Sequence, residues 1–296
     1  MMSKARAPLL LVIVFVAGWL NNYEAHGHGY LSSPRARNLL AHEETVWWPQ
    51  NETNPEPETC PHCLNRGGSL ARCGLVGDAS VGNVRNYDAP KNAVGGPMPI
   101  AVQANYTQGQ VVTLDISLTA HHKGHFVFSA CPISPGEIPT QECFDGNRLT
   151  FVEDLLHGGN YDPNHPERAY VAPPGPGYVL DVGSTDGVMD FSFRMRLPPN
   201  VHGDLVLIQW YYLTANSCYH EGYRQYDWPS NWNMDNALSS MLCGEVSSDG
   251  TGVPEQFWNC AEVHVLKGPD EESSAPCFWL SSIAYVFMLL LWGVVC

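Results

Sequence analysis

Three histidines lie within five residues of one another, at His121, His122 and His125. Runs of alternating polarity flank them on both sides, so we expect the group in a connection at the edge of a β-sheet. Protonated imidazoles repel one another at close range, and such a group therefore favours either exposure to solvent or a bound metal ion. The residue types alone leave both interpretations open.

A fourth histidine becomes a candidate metal ligand because of how the chain is expected to be processed. Lys4 and Arg6 precede an apolar run at 9–20, which is typical of a secretory signal peptide and is too short to span a bilayer. We therefore expect residues 1–27 to be removed on export, which leaves His28 as the first residue.

The cleavage site favours that histidine over its neighbour. The small residues Ala25 and Gly27 suit cleavage before His28, whereas cleavage before His26 would put Tyr23 three residues before the cut. A chain that begins with histidine offers a metal both its α-amine and its ring. With one more imidazole this makes a flat set of three nitrogens, which suits Cu(II), whereas zinc prefers a tetrahedral set.

The body of the chain is predicted to be strands joined by Pro- and Gly-rich connections. Alternating or β-branched apolar runs occupy 111–119, 125–130, 189–197, 204–214 and 261–266. No long segment has helical periodicity. We therefore predict an all-β fold over residues 28–267, an antiparallel β-sandwich of the immunoglobulin or fibronectin-III type with long disulfide-tied loops. The stretch 41–100 has little strand signal, and we expect it to lie beside the sandwich.

The cysteines outside the C-terminal tail form an even set in a secreted chain. They are Cys60, Cys63, Cys73, Cys131, Cys143, Cys218, Cys243 and Cys260. An oxidising compartment favours four disulfides, whose pairing the sequence does not decide. The Cys60-Pro-His-Cys63 spacing, with Cys73 as a third ligand, also admits a zinc site.

The chain is acidic, with a formal net charge of −15. This charge argues against nucleic acid as a partner and is compatible with a neutral polysaccharide. Asn-X-Thr sequons at Asn51 and Asn105 are candidate glycosylation sites in an exported protein.

The C-terminal end carries a second targeting signal. An apolar run at 283–296 reaches the last residue with no Lys or Arg after it, and the small residues Ser273 and Ser274 lie upstream. This pattern predicts that residues 268–296 form a linker and a GPI-attachment signal, which would anchor the protein to the outer membrane leaflet at the cell surface. A transmembrane tail is the alternative.

Four motifs resemble those of one enzyme family and occur in that family's order. They are His28-Gly-Tyr-Leu followed by Pro34 and Arg37, Ala120-His-His-Lys-Gly-His-Phe126, Gln209-Trp-Tyr-Tyr212 followed by Asn216-Ser217, and Gln256-Phe-Trp-Asn-Cys-Ala-Glu262. Together they resemble the lytic polysaccharide monooxygenases of auxiliary-activity family fifteen, over most of residues 28–266. The offsets of the first motif also agree with His28 as the mature start.

The resemblance implies a site for one copper ion per chain. His28 would bind the metal through its amine and ring, and His122 would complete the set. Ala120 would lie beside the copper. Phe257 would take the axial position, where some relatives have Tyr.

The resemblance also suggests roles for neighbouring residues. Gln209 is a candidate hydrogen-bond donor to the oxygen species, or else an ordinary polar residue of its strand. Tyr30 follows the first copper histidine and is a candidate sugar contact. His121 and His125 stand where the family has Asn and Tyr, so weak copper binding, hydrogen bonding or neither is open for them.

The reaction implied by the resemblance is copper-dependent oxidative cleavage of glycosidic bonds in chitin or cellulose. It hydroxylates a C–H bond next to the glycosidic oxygen, with O₂ or H₂O₂ as co-substrate and an external electron donor. One alternative is a GPI-anchored copper-binding surface protein that does not cleave polysaccharide. Another is a carbohydrate-binding or structural sandwich whose histidines are incidental.

Overall fold

The structure is a computed structural model, and it describes residues 29–44, 71–76, 85–90, 96–174, 188–232, 234, 238–246 and 254–268. Over these residues the chain forms eleven strands and two short helices. The strands are β1 (Gly29–Ser33), β2 (Leu75–Val76), β3 (Arg85–Asn86), β4 (Ala104–Thr107), β5 (Val111–Leu118), β6 (His125–Pro132), β7 (Thr150–Asp154), β8 (Arg168–Tyr170), β9 (Met189–Arg196), β10 (Gly203–Leu213) and β11 (Gln256–Leu266). The helices are α1 (Arg37–Glu43) and α2 (Gln141–Asp145). Neither described helix is long and apolar enough to cross a membrane.

Two sheets share one core. The first has the order β1-β5-β9-β7 and the second the order β4-β11-β10-β6-β8, and a separate ribbon pairs β2 with β3. Buried side chains of both main sheets meet between them, including Phe191 and Phe193 from the first sheet and Phe126, Phe128 and Trp210 from the second. The predicted all-β sandwich is confirmed. Strand β4 departs from antiparallel pairing, since it runs parallel to β11.

The strands that the polarity pattern predicts are present, with longer or shorter ends. The five runs correspond to β5, β6, β9, β10 and the second half of β11. The short strands β1, β4, β7 and β8 and the ribbon of β2 with β3 are additional, because two to five residues carry too little periodicity to be recognised locally.

The second sheet is covered on both faces. In β9 of the first sheet buried and more exposed residues alternate, whereas β10 and β11 are buried along nearly their whole length. Their outer face packs against Leu40 of α1 and against Ala71 and Leu75, where Trp258 and Leu207 contribute from the sheet. The described part of 41–100 therefore lies beside the sandwich, as expected.

Disulfides tie the loops to this frame. The described pairs are Cys73–Cys260, Cys131–Cys143 and Cys218–Cys243. The first pair joins the 71–76 segment to β11 across 187 residues. It also excludes Cys73 from a zinc site. Cys60 and Cys63 lie outside the described residues.

The register of the strand pairs determines which strand ends lie together at one end of the sandwich. Leu118, the last residue of β5, pairs with Gly29 of β1. Leu213, the last residue of β10, pairs with both His125 and Gln256. The β5–β6 connection therefore emerges beside the start of β1 and the start of β11.

Candidate metal centre

The β5–β6 connection turns sharply at two successive residues with left-handed backbone. Lys123 has a φ of 57° and Gly124 a φ of 99°. A β-carbon at position 124 would collide with the carbonyl of Leu213, so only glycine fits there. Lys123 is not a glycine and must be held in this conformation by its neighbours. The turn sends the three histidines of the connection to different surroundings.

His121 uses both ring nitrogens within the fold. Its Nδ1 accepts a hydrogen bond from the Lys123 N–H at 3.2 Å, so its Nε2 carries the proton and donates to the Ala172 carbonyl at 2.7 Å. Burial is the main cause that lowers the pKa of His121 to about 4. The ring is thus neutral and leaves no nitrogen for a metal.

His125 is a core residue. It is only 2% exposed, its Nδ1 lies 2.6 Å from the hydroxyl of Tyr223, and its ring meets the edge of His220 at a centroid distance of 4.9 Å. Burial, followed by the nearby His220, holds its pKa well below the ordinary value. This histidine therefore packs the interior and does not face the connection's surface.

His122 differs from both neighbours. Its side chain is 17% exposed, and its Nε2 has no hydrogen-bond partner among the described residues. Its Nδ1 lies 3.1 Å from the side-chain amide nitrogen of Asn216, and its Nε2 lies 3.9 Å from a carboxylate oxygen of Glu255. Burial lowers the pKa of His122, while the Glu255 carboxylate opposes that shift. The Nε2 atom is itself buried, so what it offers a metal is a nitrogen that no protein group already uses.

An aromatic ring supports the His122 imidazole. Phe257 lies nearly parallel to it, at an interplanar angle of 11° and a centroid distance of 6.3 Å. Phe257 is 1% exposed and belongs to the main core, so it is a rigid support. Its side chain offers neither a donor nor an acceptor.

The start of β1 is held next to this support. The amide nitrogen of Asn259 donates to the Gly29 carbonyl at 3.4 Å, and its oxygen accepts a second bond from β1 at 3.0 Å. Asn259 and Phe257 are two residues apart on β11 and so project from the same face. Asn259, which holds Gly29, and Phe257, which packs beside His122, are therefore neighbours on one face of β11. His28, which precedes Gly29, lies outside the described residues.

Two further residues of the predicted site lie at the same end of the sandwich. Ala120 is partly exposed in the connection, two residues before His122. Tyr30 is partly exposed on β1, paired with Ser117 of β5. Their roles beside a metal and on a sugar remain predictions.

Gln209 is placed away from the histidine. It pairs with Cys260 on β11, and its side-chain amide donates to the Arg72 carbonyl at 2.8 Å on the outer face of the sheet. Tyr212, three residues later, projects from the opposite face toward the core. The structure thus does not bring Gln209 to the metal centre, because strand parity turns its side chain the other way.

The remaining predicted modification sites divide between described and other residues. Asn105 is exposed on β4, which is compatible with glycosylation. Asn51, Ser273 and Ser274 lie outside the described residues.

Three residues around His122 had no assigned role from the sequence. They are Glu255, Asn216 and Tyr212. Tyr212 and Asn216 belong to a motif that carries the family resemblance. Glu255 directly precedes β11, and it shares the side of Phe257 if the alternation of the strand is continued by one residue. Its spacing of two residues from Phe257 was the sequence feature that could have indicated a role for Glu255 at the site.

Comparisons with known proteins agree with the family suggested by the motifs. A family model described as lytic polysaccharide mono-oxygenase, cellulose-degrading, matches residues 28–263. Among solved structures, the chain is similar to a lytic polysaccharide monooxygenase of family AA15 from Thermobia domestica in the Cu(I) state, with 22% identity, a TM-score of 0.47 and coverage of 80% of this chain and 98% of that chain. It is also similar to CelS2, a cellulose-active monooxygenase in complex with copper, with 16% identity, a TM-score of 0.36 and coverage of 81% and 100%.

The structural likenesses are too distant to support a conclusion about this chain, since both TM-scores are below 0.5. A comparison with curated proteins found no match. The family model, in contrast, spans most of the chain, and the protein therefore belongs to the lytic polysaccharide monooxygenase family.

Proposed function

We propose that the protein is a copper-dependent monooxygenase that cleaves chitin or cellulose oxidatively, with one copper ion per chain. Family membership supports this class of reaction. The observation that supports this reaction for this chain concerns His122. Its Nε2 has no hydrogen-bond partner among the described residues, whereas His121 and His125 both form hydrogen bonds inside the fold.

The donor set suits copper. His122 supplies one imidazole nitrogen, and His28, once it is the first residue, supplies its α-amine and its ring. Within the described ranges there is no group of three or more His, Cys, Asp or Glu side chains that could hold a metal, so the proposal needs His28. Bound copper would supply the one-electron chemistry that activates O₂ or H₂O₂ for C–H hydroxylation.

The protein side chains prepare His122 for this task. In the structure the Asn216 amide nitrogen faces Nδ1, and its oxygen accepts from the Thr214 and Ser217 hydroxyls. Binding through Nε2 requires the proton to sit on Nδ1, so the Asn216 amide must then turn its oxygen toward that proton. This contact would fix both the tautomer and the orientation of the ring, as the outer partners of metal-bound histidines do. Phe257 would line the site without offering the metal a donor atom.

Glu255, and not Gln209, is our candidate for the residue that interacts with a co-substrate beside the metal. Its carboxylate oxygen is 3.9 Å from the His122 nitrogen that would bind the metal, so it would border any molecule bound there. A carboxylate at that place can accept a hydrogen bond from a co-substrate or hold a proton for it.

Oxidised products are the direct test. Copper-loaded protein and a reductant are incubated separately with chitin and with cellulose, and the soluble products are analysed by mass spectrometry. We expect oxidised oligosaccharides from at least one polymer, only with reductant, and none from a His122→Ala variant. Tight copper binding with no oxidised product from either polymer would instead favour the copper-binding surface protein.

Export and anchoring complete the proposal. Members of the family are generally secreted enzymes, and we propose that residues 1–27 are removed and that a glycolipid is attached near Ser273 or Ser274. The small residues before an uncharged apolar terminus support the anchor. Phosphatidylinositol-specific phospholipase should release the protein from intact cells. Retention with an intact C-terminal peptide would show a transmembrane tail instead.

A further inference from the structure

We propose that Tyr212 is a positioning residue for His122, and that its hydroxyl holds the backbone of the β5–β6 connection in the shape that presents the imidazole to the metal. The inference rests on the proposed function for the identity of that metal. The contacts that support it are all within the described protein.

The Tyr212 hydroxyl makes two hydrogen bonds to the connection. It accepts one from the His122 N–H at 2.9 Å and donates one to the Lys123 carbonyl at 2.6 Å. Tyr212 is 1% exposed, so water does not readily replace either bond. The two contacts bracket the peptide unit that joins His122 to the turn.

The tyrosine ring is itself held firmly. It packs at centroid distances of 5.0 Å from Phe126, 5.6 Å from Phe257 and 5.8 Å from Trp210. Phe257 also lies against the imidazole of His122. Packing of the ring in the core therefore fixes the position of the hydroxyl, and the two hydrogen bonds of the hydroxyl hold the backbone of the connection in place.

The left-handed backbone of Lys123 explains why such a contact is needed. A φ of 57° is costly for a residue with a β-carbon, and it persists only where neighbours enforce it. The bond from Tyr212 to the Lys123 carbonyl offsets this cost. Without it we expect Lys123 to relax toward negative φ, which would rotate His122 away from Phe257.

Tyr212→Phe removes the hydroxyl and keeps the ring. We expect Cu(II) affinity to fall about tenfold, the equivalent of ~1.4 kcal/mol for the lost hydrogen bonds. We also expect a changed Cu(II) electron paramagnetic resonance spectrum and faster hydrogen exchange of the His122 amide in metal-free protein. Isothermal titration, resonance spectroscopy and exchange by NMR measure these three quantities.

Tyr170→Phe is the matched control. Its hydroxyl is also buried and donates to the Asp162 carboxylate at 2.6 Å, with no contact to the connection. We expect this variant to lose stability while its copper affinity, its resonance spectrum and the exchange of the His122 amide stay as in the wild type.

A second substitution separates positioning from general stability. Lys123→Gly in the Tyr212→Phe background should restore part of the copper affinity, because glycine adopts the left-handed conformation without the cost. Lys123→Gly combined with Tyr170→Phe should leave affinity unchanged. Absence of any rescue would show that Tyr212 acts through stability alone and would overturn the proposal.

The remaining outcomes are equally decisive. Wild-type affinity, spectrum and amide exchange in Tyr212→Phe would overturn the inference, as would rapid exchange of the His122 amide in the folded wild-type protein. If the wild type binds no copper but Tyr212→Phe accelerates exchange at His122, the positioning role stands and the proposed copper function fails.

Discussion

The three histidines at positions 121, 122 and 125 have different surroundings, and they differ in the hydrogen bonds that their ring nitrogens form. His121 donates to one backbone carbonyl and accepts from one backbone amide, and His125 contacts a tyrosine hydroxyl in the core. His122 alone of the three keeps a nitrogen without a hydrogen-bond partner in the described structure. At the scale of single residues, hydrogen-bond accounting is therefore what distinguishes a candidate ligand from its neighbours.

The first prediction tests that distinction by substitution. His122→Ala should weaken Cu(II) binding by more than about 100-fold, since even outer partners of metal ligands cost about 10–100-fold when removed. His121→Ala should leave copper affinity nearly unchanged but lower the free energy of unfolding by about 1–3 kcal/mol, because two backbone groups lose their partner. Copper titration and urea unfolding measure the two effects. Loss of binding in His121→Ala, with binding intact in His122→Ala, would contradict the assignment.

At the scale of elements, β1 must deliver the N-terminus to the connection. Gly29 has room for no side chain, since a β-carbon there would press on Leu118, on the Ser117 carbonyl and on the Trp210 ring. The absence of a side chain at Gly29, the first described residue, thus allows β1 to lie close to β5 and to the core. The Asn259 side chain then fixes β1 against β11.

The second prediction concerns this close approach. Gly29→Ala should push β1 outward, lower the melting temperature and weaken Cu(II) binding, because His28 directly precedes Gly29 in the chain. Gly203→Ala in β10 is the control, since a β-carbon there would make only ordinary contacts at 3.5 Å or more. Calorimetry and copper titration report both quantities. Unchanged affinity in Gly29→Ala would mean that the position of β1 does not limit metal binding.

The segment beside the second sheet contains buried charge. Arg37 of α1 forms an ion pair with Glu262 of β11 at 2.7 Å, with both side chains almost fully buried. Asp88 lies nearby and accepts a hydrogen bond from the Cys73 N–H at 2.6 Å. Burial raises the pKa of Asp88 to about 6, although that hydrogen bond and nearby arginines oppose the shift.

The third prediction follows from the sign of that shift. A raised pKa in the fold means that the native state binds the proton more tightly, so the contribution of Asp88 to stability is lost as the pH rises through about 6. Asp88→Asn keeps an oxygen for the Cys73 N–H and removes the charge. It should raise the free energy of unfolding at pH 7 by about 1–3 kcal/mol, with little difference at pH 4. Unfolding curves across this range test it.

A control for the third prediction is Asp204→Asn. The Asp204 side chain is fully exposed, and an exposed ion pair such as its 3.4 Å contact with His264 contributes little, so its replacement should change stability little at both pH values. A pH-independent effect of Asp88→Asn would show that its carboxyl group is not the source of the pH dependence.

At the scale of the whole molecule, the proposed copper site depends on cleavage of one peptide bond during export, the bond that precedes His28. Only cleavage of the chain before His28 creates the α-amine that the proposed site requires, since an internal residue carries an amide with no basic nitrogen. The amine has an ordinary pKa of about 8, so copper must displace its proton near neutral pH. On the proposed function, processing is thus a chemical step in assembling the site.

The fourth prediction is that retaining one extra residue abolishes tight copper binding. A protein that begins at Gly27 should bind Cu(II) more than about 100-fold more weakly than one that begins at His28, because it lacks the amine ligand. Intact-mass spectrometry verifies each N-terminus before titration. N-terminal sequencing of the exported protein that finds any residue other than His28 would remove this placement of the site.

The sequence by itself was sufficient for the longer strands and for the family resemblance. The alternation in 111–119 and 189–197 predicts strands because side-chain direction along a strand depends only on neighbouring residues. The four motifs and the histidine at the expected cleavage site also lie in continuous stretches of chain. Such features are local, so they can be recognised before any fold is known.

Only the tertiary structure decided which side chains meet. Whether Gln209 faces the metal or the Arg72 carbonyl depends on strand parity within a sheet whose register is set by distant partners. The pairing of Cys73 with Cys260, across 187 residues, was one of many that the sequence allowed. Glu255 reaches His122 for the same reason. Contacts between remote residues arise from packing of whole sheets, and no local pattern encodes that packing.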